Sequence, residues 1–185
     1  MHGGYSFVKV PNMDNNLSEQ PFLSITSGSC SFLEVVDFIV ASYSSMPGDN
    51  FKVSVGTDSE EINGEVKFVS AIVLWRVGHG ARAWRTITWG KGKEYKSGGF
   101  HPKRIYQEVI LTGTLTVELR SRLKQILGED ISNNIEVHAD VGESGRTSVI
   151  MREIIGMLLG YGFPLENIKW KPESIAASVV ADRYI

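Results

Sequence analysis

The spacing of hydrophobic positions changes period several times along the chain, and each change marks an element. Phe32, Val35, Val36, Ile39 and Val40 recur at helical spacing behind Ser31-Phe32-Leu33-Glu34, a capping-box sequence. A first helix is predicted there, ending at the Ser-Ser-Met-Pro-Gly break. From Phe51 the period falls to two. Phe51, Val53 and Val55 point one way while Ser54, Gly56 and Asp58 share the other, so the strand buries the first set and presents Asp58. Val66 to Arg76 is long, apolar and β-branched, the Gly78-His79-Gly80 turn follows, and Ala81 to Trp89 alternates again. The three runs predict an antiparallel meander.

Beyond the meander, Gly90 to Gly99 is too rich in glycine for a regular element and carries three lysines, which predicts a mobile basic loop. Pro102 suits the first turn of a helix running to about Leu127, with Ile105, Val109, Leu115, Leu119, Leu123 and Ile126 available for an apolar stripe and Gly128 as a stop. Ile135 to Asp140 alternates as a fourth strand. Val141-Gly142-Glu143-Ser144-Gly145 then turns into an apolar helix ending near Tyr161-Gly162. Asn167 to Lys171 fits a short fifth strand, and Ser174 can cap a final helix through Ala176, Ala177, Val180 and Ala181.

The order of three strands, helix, strand, helix, strand, helix predicts an α/β fold in which a meander continues into parallel crossover units. Residues 1–30, rich in Gly, Ser, Asn and Pro, read as an N-terminal arm lying on the domain or partly disordered. Residues 31–185 read as a single domain. No internal repeat interrupts them.

Composition narrows the function. A net charge of -2 over 185 residues argues against a protein that coats nucleic acid through bulk charge, so any such contact must be local. Cys30 is the single cysteine, which excludes an internal disulfide framework and a thiolate zinc cluster and suits a reducing cytoplasm. The four histidines lack zinc-ligand spacing. Met1 to Asn16 shows no basic start followed by an apolar core, and no run approaches the roughly 20 apolar residues of a membrane span.

The acids carry the candidate chemistry. If the first and fourth strands are parallel neighbours, Asp58 and Asp140 leave the same end of the sheet, where open α/β sheets bind ligands. The helix after the meander offers Glu108 and Glu118, ten residues or about 15 Å of axis apart, so both cannot serve one compact site. Glu118 pairs naturally with Arg122 at a spacing of four, which leaves Glu108 as the candidate. Asp182 lies in the last predicted helix. Carboxylates crowded together repel one another or take up protons unless a hard cation such as Mg²⁺ or Mn²⁺ joins them. Each acid also has a structural reading: turn formation for Asp58 and Asp140, an exposed helix position beside Lys103 or Arg104 for Glu108, and a surface acid for Asp182.

Gly-Thr-Asp-Ser at 56 to 59, Glu108, His-Ala-Asp-Val-Gly at 138 to 142 with Gly145, Lys-Pro at 171 to 172 and Ala-Ala-Ser-Val-Val-Ala-Asp-Arg at 176 to 183 together resemble the bacterial YkuK family of ribonuclease H-like proteins. The likeness runs from about Phe51 to the end. It implies a ribonuclease H-like fold with a mixed five-stranded sheet flanked by helices. It also implies an acidic site of Asp58, Glu108, Asp140 and Asp182 as catalytic residues and as ligands of Mg²⁺ or Mn²⁺, two ions in active members of the superfamily. The function expected on that basis is metal-dependent hydrolysis of phosphodiester bonds in RNA, RNA–DNA hybrid or structured DNA. The rival expectation is a catalytically silent nucleic-acid-binding or regulatory module on the same fold. A phosphotransferase ranks last, because one such domain is too small to form an interdomain cleft.

Lys91, Lys93, Lys96, Lys103 and Arg104 form the densest basic stretch and are the candidate nucleic-acid contacts, with Trp89 and Tyr95 as stacking surfaces. A solvated loop is the competing reading. Trp75, Trp84 and Trp170 read as core. His138 shares the strand face of Asp140 and reads first as a hydrogen-bonded structural histidine and second as a proton shuttle. His101 adjoins the basic loop and could assist product release. Lys171 could meet a phosphate or end a strand with Pro172.

Overall fold

Ser31 caps the first helix, α1 (Phe32–Ser45), as its sequence predicts: the hydroxyl accepts the Glu34 N–H at 3.3 Å and the Glu34 carboxylate accepts the Ser31 N–H at 2.7 Å. In the computed structural model, the described residues are 16–90, 95, 102–129, 134–143 and 148–184. The predicted meander forms as β3 (Phe51–Ile62), β4 (Glu65–Arg76) and β5 (Gly80–Gly90), each antiparallel to the next. The β3–β4 reversal runs through Asn63 and Gly64, both at positive φ, the tight geometry that Asn-Gly favours in a two-residue hairpin.

The sheet has seven strands, not the five expected, in the order Gly28–Cys30, Phe22–Ser24, β5, β4, β3, Glu136–His138 and Ile168–Lys169. The two additional strands, β1 (Phe22–Ser24) and β2 (Gly28–Cys30), come from the segment read as an arm. They form a hairpin through Gly28 at φ 71°, and Leu23 pairs with Arg85 of β5. Three-residue strands rich in Ser and Gly leave no alternation to read. What anchors them is a few apolar side chains: Phe22 and Leu17 are buried in the main core, and Phe22 packs against Phe32 at 5.9 Å between ring centroids. Residues 1–15 lie outside the described residues.

β6 (Glu136–His138) lies parallel to β3, and β7 (Ile168–Lys169) parallel to β6, as the crossover order predicts. Between them run α2 (Pro102–Leu127) and α3 (Met151–Gly160). Val53 and Val55 of β3, Phe68, Ile72 and Leu74 of β4 and Trp84 of β5 meet α1 and the Leu111, Leu115, Leu119 and Leu123 stripe of α2. α3 covers β6 and β7 through Ile154 and Leu158. On the opposite face, Val69 and Ala71 receive Ala181.

The final helix departs from expectation. It is a π-helical turn (Ala176–Ala181) closed by a 3₁₀ turn (Asp182–Tyr184) rather than a regular α-helix. Ala176 and Ala181, five residues apart, are both fully buried. Positions five apart stack in a π turn and diverge in an α-helix, so burying these two small residues favours the wider winding.

Burial of Phe22 makes the β1–β2 hairpin part of the core rather than an appendage. Phe22→Ala is expected to destabilise the protein by about 3–4 kcal/mol in urea denaturation; a loss below about 0.5 kcal/mol, the size of an ordinary surface change, would contradict that placement.

Candidate functional site

The parallel pairing of β3 and β6 sets the site. Gly56 is opposite His138, and two residues further along each chain stand Asp58 and Asp140, at the same end of the sheet and with side chains of the same alternation. Glu108 comes from the second turn of α2, where packing of the helix on β3 directs it at the strand end. Its carboxylate is only 6% exposed and accepts a hydrogen bond from Ser59 Oγ at 2.5 Å. Asp58 accepts the Ser59 N–H at 2.8 Å. One Asp-Ser pair therefore serves two acids, the aspartate through the serine backbone and the glutamate through its hydroxyl. Asp182 arrives on the C-terminal segment, which packs along β3 and β4.

The electrostatics record this convergence. Burial first, then the charges of Asp140 and Asp182, raise the Asp58 carboxyl to about 7 against the Ser59 N–H bond and the Arg104 charge, which favour its ionised form. Burial first, then the charges of Asp58 and Asp140, raise Glu108 to about 8 against the Ser59 hydroxyl and Arg104. All four acids predicted from the sequence thus act within one field.

Two cations answer them. Lys171 Nζ stands 2.9 Å from Asp140 Oδ2, and Arg104 Nε 3.9 Å from Glu108 Oε1. Asp140 Oδ1 is buried with no hydrogen-bond partner among the described residues. A buried carboxylate oxygen without a donor is costly, and it is the atom through which an oxygen-seeking cation would be gained. The donor set fits Mg²⁺ or Mn²⁺ in kind: oxygen ligands, several of them charged. Among the described residues no three His, Cys, Asp or Glu side chains surround a single point closely enough to hold an ion. The acids converge, in other words, as an open set rather than a closed cage. An open cavity of about 810 Å³ begins at Lys171 and is lined also by Gly142, Lys169, Trp170 and Glu173; none of the four acids lines it.

The remaining candidates divide. Glu118 pairs with Arg122 at 3.4 Å on the exposed side of α2, away from the acids. Lys103 is exposed, whereas Arg104 turns to Glu108 instead of solvent. Lys91, Lys93, Lys96 and His101 lie outside the described residues. Tyr95 is no stacking surface: it is 4% exposed and meets Phe68 edge-on at 5.9 Å. Trp89 is 45% exposed. Trp84 is core and Trp170 packs on the α3 cluster, but Trp75, expected in the core, is 39% exposed because it falls on the sheet face opposite α1 and α2, with Lys52 over its ring at 6.0 Å. His138 is structural: it is buried, its Nδ1 accepts the Ala176 N–H at 2.8 Å, and its Nε2 faces Glu136 at 3.2 Å. Sequence reasoning passed over Ser59. Its signal was there in strand alternation, which sends Ser59 to the helix-covered face opposite Asp58, where a residue of α2 must meet it.

A sequence profile described as Ribonuclease H-like matches residues 34–185, and the chain belongs to that family. It is similar to a protein named "Uncharacterized protein YkuK" from Bacillus subtilis (strain 168), with 28% identity over 175 residues, covering 88% of this chain and 95% of the relative. No solved structure matches the chain. No described helix is long and apolar enough to cross a membrane.

Raised carboxyl values have a definite consequence for stability. The folded protein holds protons on Asp58 and Glu108 that the unfolded chain releases near its ordinary values of 3.8 and 4.5. The contribution of the two groups is therefore greatest below about pH 4 and falls as pH rises towards 7 and 8. In metal-free buffer, Asp58→Asn and Glu108→Gln are each expected to flatten this fall and to raise stability at pH 8.5 by an amount on the order of 1–3 kcal/mol. Thermal melts between pH 5 and 8.5 read it, and an unchanged slope in both variants would contradict the raised carboxyls.

Proposed function

We propose that the protein is a divalent-metal-dependent nuclease of the ribonuclease H-like class, hydrolysing phosphodiester bonds in RNA, RNA–DNA hybrid or structured DNA. The observation that carries the reading is the joint placement of Asp58 and Glu108, with carboxyls raised to about 7 and 8, beside Asp140 and Asp182. Proteins rarely crowd acids at a structural cost without a use for them, and perturbed carboxyls at a sheet end mark functional sites.

Asp58, Glu108, Asp140 and Asp182 are the residues that would hold Mg²⁺ or Mn²⁺. With two such ions bound, the site gains the means to activate water and to stabilise a leaving 3′ oxygen. The chain's own part is orientation and charge. Asp58 stands on β3 and Asp140 two residues past the end of the parallel β6, so the sheet brings their backbones out at the same end. Ser59 fixes the Glu108 carboxylate through its hydroxyl. Lys171, half-exposed, pairs with Asp140 and would be within reach of a phosphate brought to that acid. Nucleic acid is the substrate class this proposed chemistry suits, and a single cysteine suits a reducing compartment.

A second reading has its own observation. Lys171 and Arg104 already neutralise Asp140 and Glu108, and no described triad encloses an ion, which suits a catalytically silent nucleic-acid-binding module. Calorimetric titration with Mn²⁺ separates the two, combined with a screen of labelled RNA, DNA, hybrid and junction substrates. The nuclease reading expects heat of binding and cleavage in the wild type, and loss of both in Asp58→Asn and Asp140→Asn. Undiminished Mn²⁺ binding in both variants would sink the site, and nucleic-acid binding without cleavage at any metal concentration would favour the module.

A further inference from the structure

Asp182 differs from the other acids in what holds it. Asp58 and Asp140 are placed by adjoining strands and Glu108 by Ser59, but Asp182 is exposed and makes no hydrogen bond or ion pair among the described residues. It stands on a π turn followed by a 3₁₀ turn, windings that do not persist through the regular ladder of an α-helix. Whatever fixes its carboxylate must act through the backbone on either side.

Both sides are tied. At the start of the segment, the Ala176 N–H donates to His138 Nδ1 at 2.8 Å, with both residues buried. Because Nδ1 accepts, the ring proton of the neutral imidazole sits on Nε2, which faces Glu136 Oε2 at 3.2 Å. Lys52 stands 3.6 Å from the other Glu136 oxygen. That bond to His138 is the main reason the Glu136 carboxyl lies below its ordinary value. At the far end, Lys67 Nζ donates to the Tyr184 carbonyl, and the Arg85 guanidinium lies 3.7 Å over the Tyr184 ring. Between the ties, Ala181 is buried against Val69 and Ala71. The segment lies on the sheet between two anchors from different strands, with Asp182 two residues before the second.

We propose that His138 at one end, with Lys67 and Arg85 at the other, are positioning residues that fix Asp182 in the acidic site by clamping the segment from Ala176 to Tyr184. The clamp rests on the reading of Asp182 as a member of that site, but its anchors are measurable without metal. It also assigns the His-Ala-Asp run a division of labour. His138 holds the C-terminal segment while Asp140, two residues on and on the same strand face, joins the acids.

The experiment combines amide hydrogen exchange of the metal-free full chain with Mn²⁺ calorimetry. His138→Leu removes the acceptor, and His138→Asn restores one, since the asparagine oxygen falls near the place of Nδ1. Exchange in residues 176–184 is expected to quicken about tenfold in His138→Leu while β3 and β4 keep their protection, and to return towards the wild-type rate in His138→Asn. The Mn²⁺ affinity of His138→Leu is expected to fall to that of Asp182→Asn, with no further fall when the two are combined. Arg85→Met is expected to quicken exchange at the Tyr184 end and carries the test if His138→Leu fails to fold. Wild-type protection in His138→Leu, or affinity losses that simply add in the double variant, would overturn the clamp. A wild type that binds no Mn²⁺ would instead overturn the metal reading, and the exchange rates would still decide the clamp.

Discussion

The burial of carboxylates at one end of the sheet, with mutual repulsion added to it, is the constraint on which the site depends. Asp58 and Asp140 cannot move apart, because the strands beneath them are locked in parallel register from Ser54 and Glu136 to Gly56 and His138. Glu108 cannot withdraw into water, because α2 is seated on the core through four leucines and presses its second turn against β3. The carboxyls respond by keeping their protons to about pH 7 and 8. A bound proton and a bound cation offset the same negative charge, so under the proposed metal reading ion binding would release these protons.

The surroundings temper that repulsion without removing it. Lys171 and Arg104 each reach one acid, and the Ser59 hydroxyl gives Glu108 its one strong donor. One oxygen of Asp140 stays buried and unanswered among the described residues. A site built only for stability would replace these charges with apolar residues of similar size, which often costs nothing or improves stability. Four acids with Lys171 and Arg104 beside two of them accord with the proposed metal site.

The major elements were legible because their hydrophobic periods were long. The meander, α1 with its capping box, α2 with its leucine stripe and the parallel crossover to β6 all carry patterns of five or more residues. The hairpin of β1 and β2 escaped notice because three-residue strands have no period, and its anchors Leu17 and Phe22 are isolated in a polar stretch. The last helix was misread in its winding, since the choice between α and π turned on Ala176 and Ala181 fitting the sheet, a tertiary demand absent from local propensity. In the site, Asp58 and Asp140 were legible from alternation and strand order. Arg104 was legible beside Glu108 from the helical spacing of four, but Ser59 and Lys171 were not legible as partners of the acids, because those contacts depend on how α2 and the segment after β7 dock. Trp75 and Tyr95 exchanged their expected settings: strand parity exposes the first, and packing on Phe68 buries the second.

The most direct measurement is the structure of crystals soaked in Mn²⁺ near pH 8, read by anomalous scattering. The account predicts metal density between Asp58 and Asp140, with Glu108 and Asp182 turned towards it and Lys171 displaced from Asp140. An empty site at saturating Mn²⁺, with the Lys171–Asp140 pair intact, would contradict it.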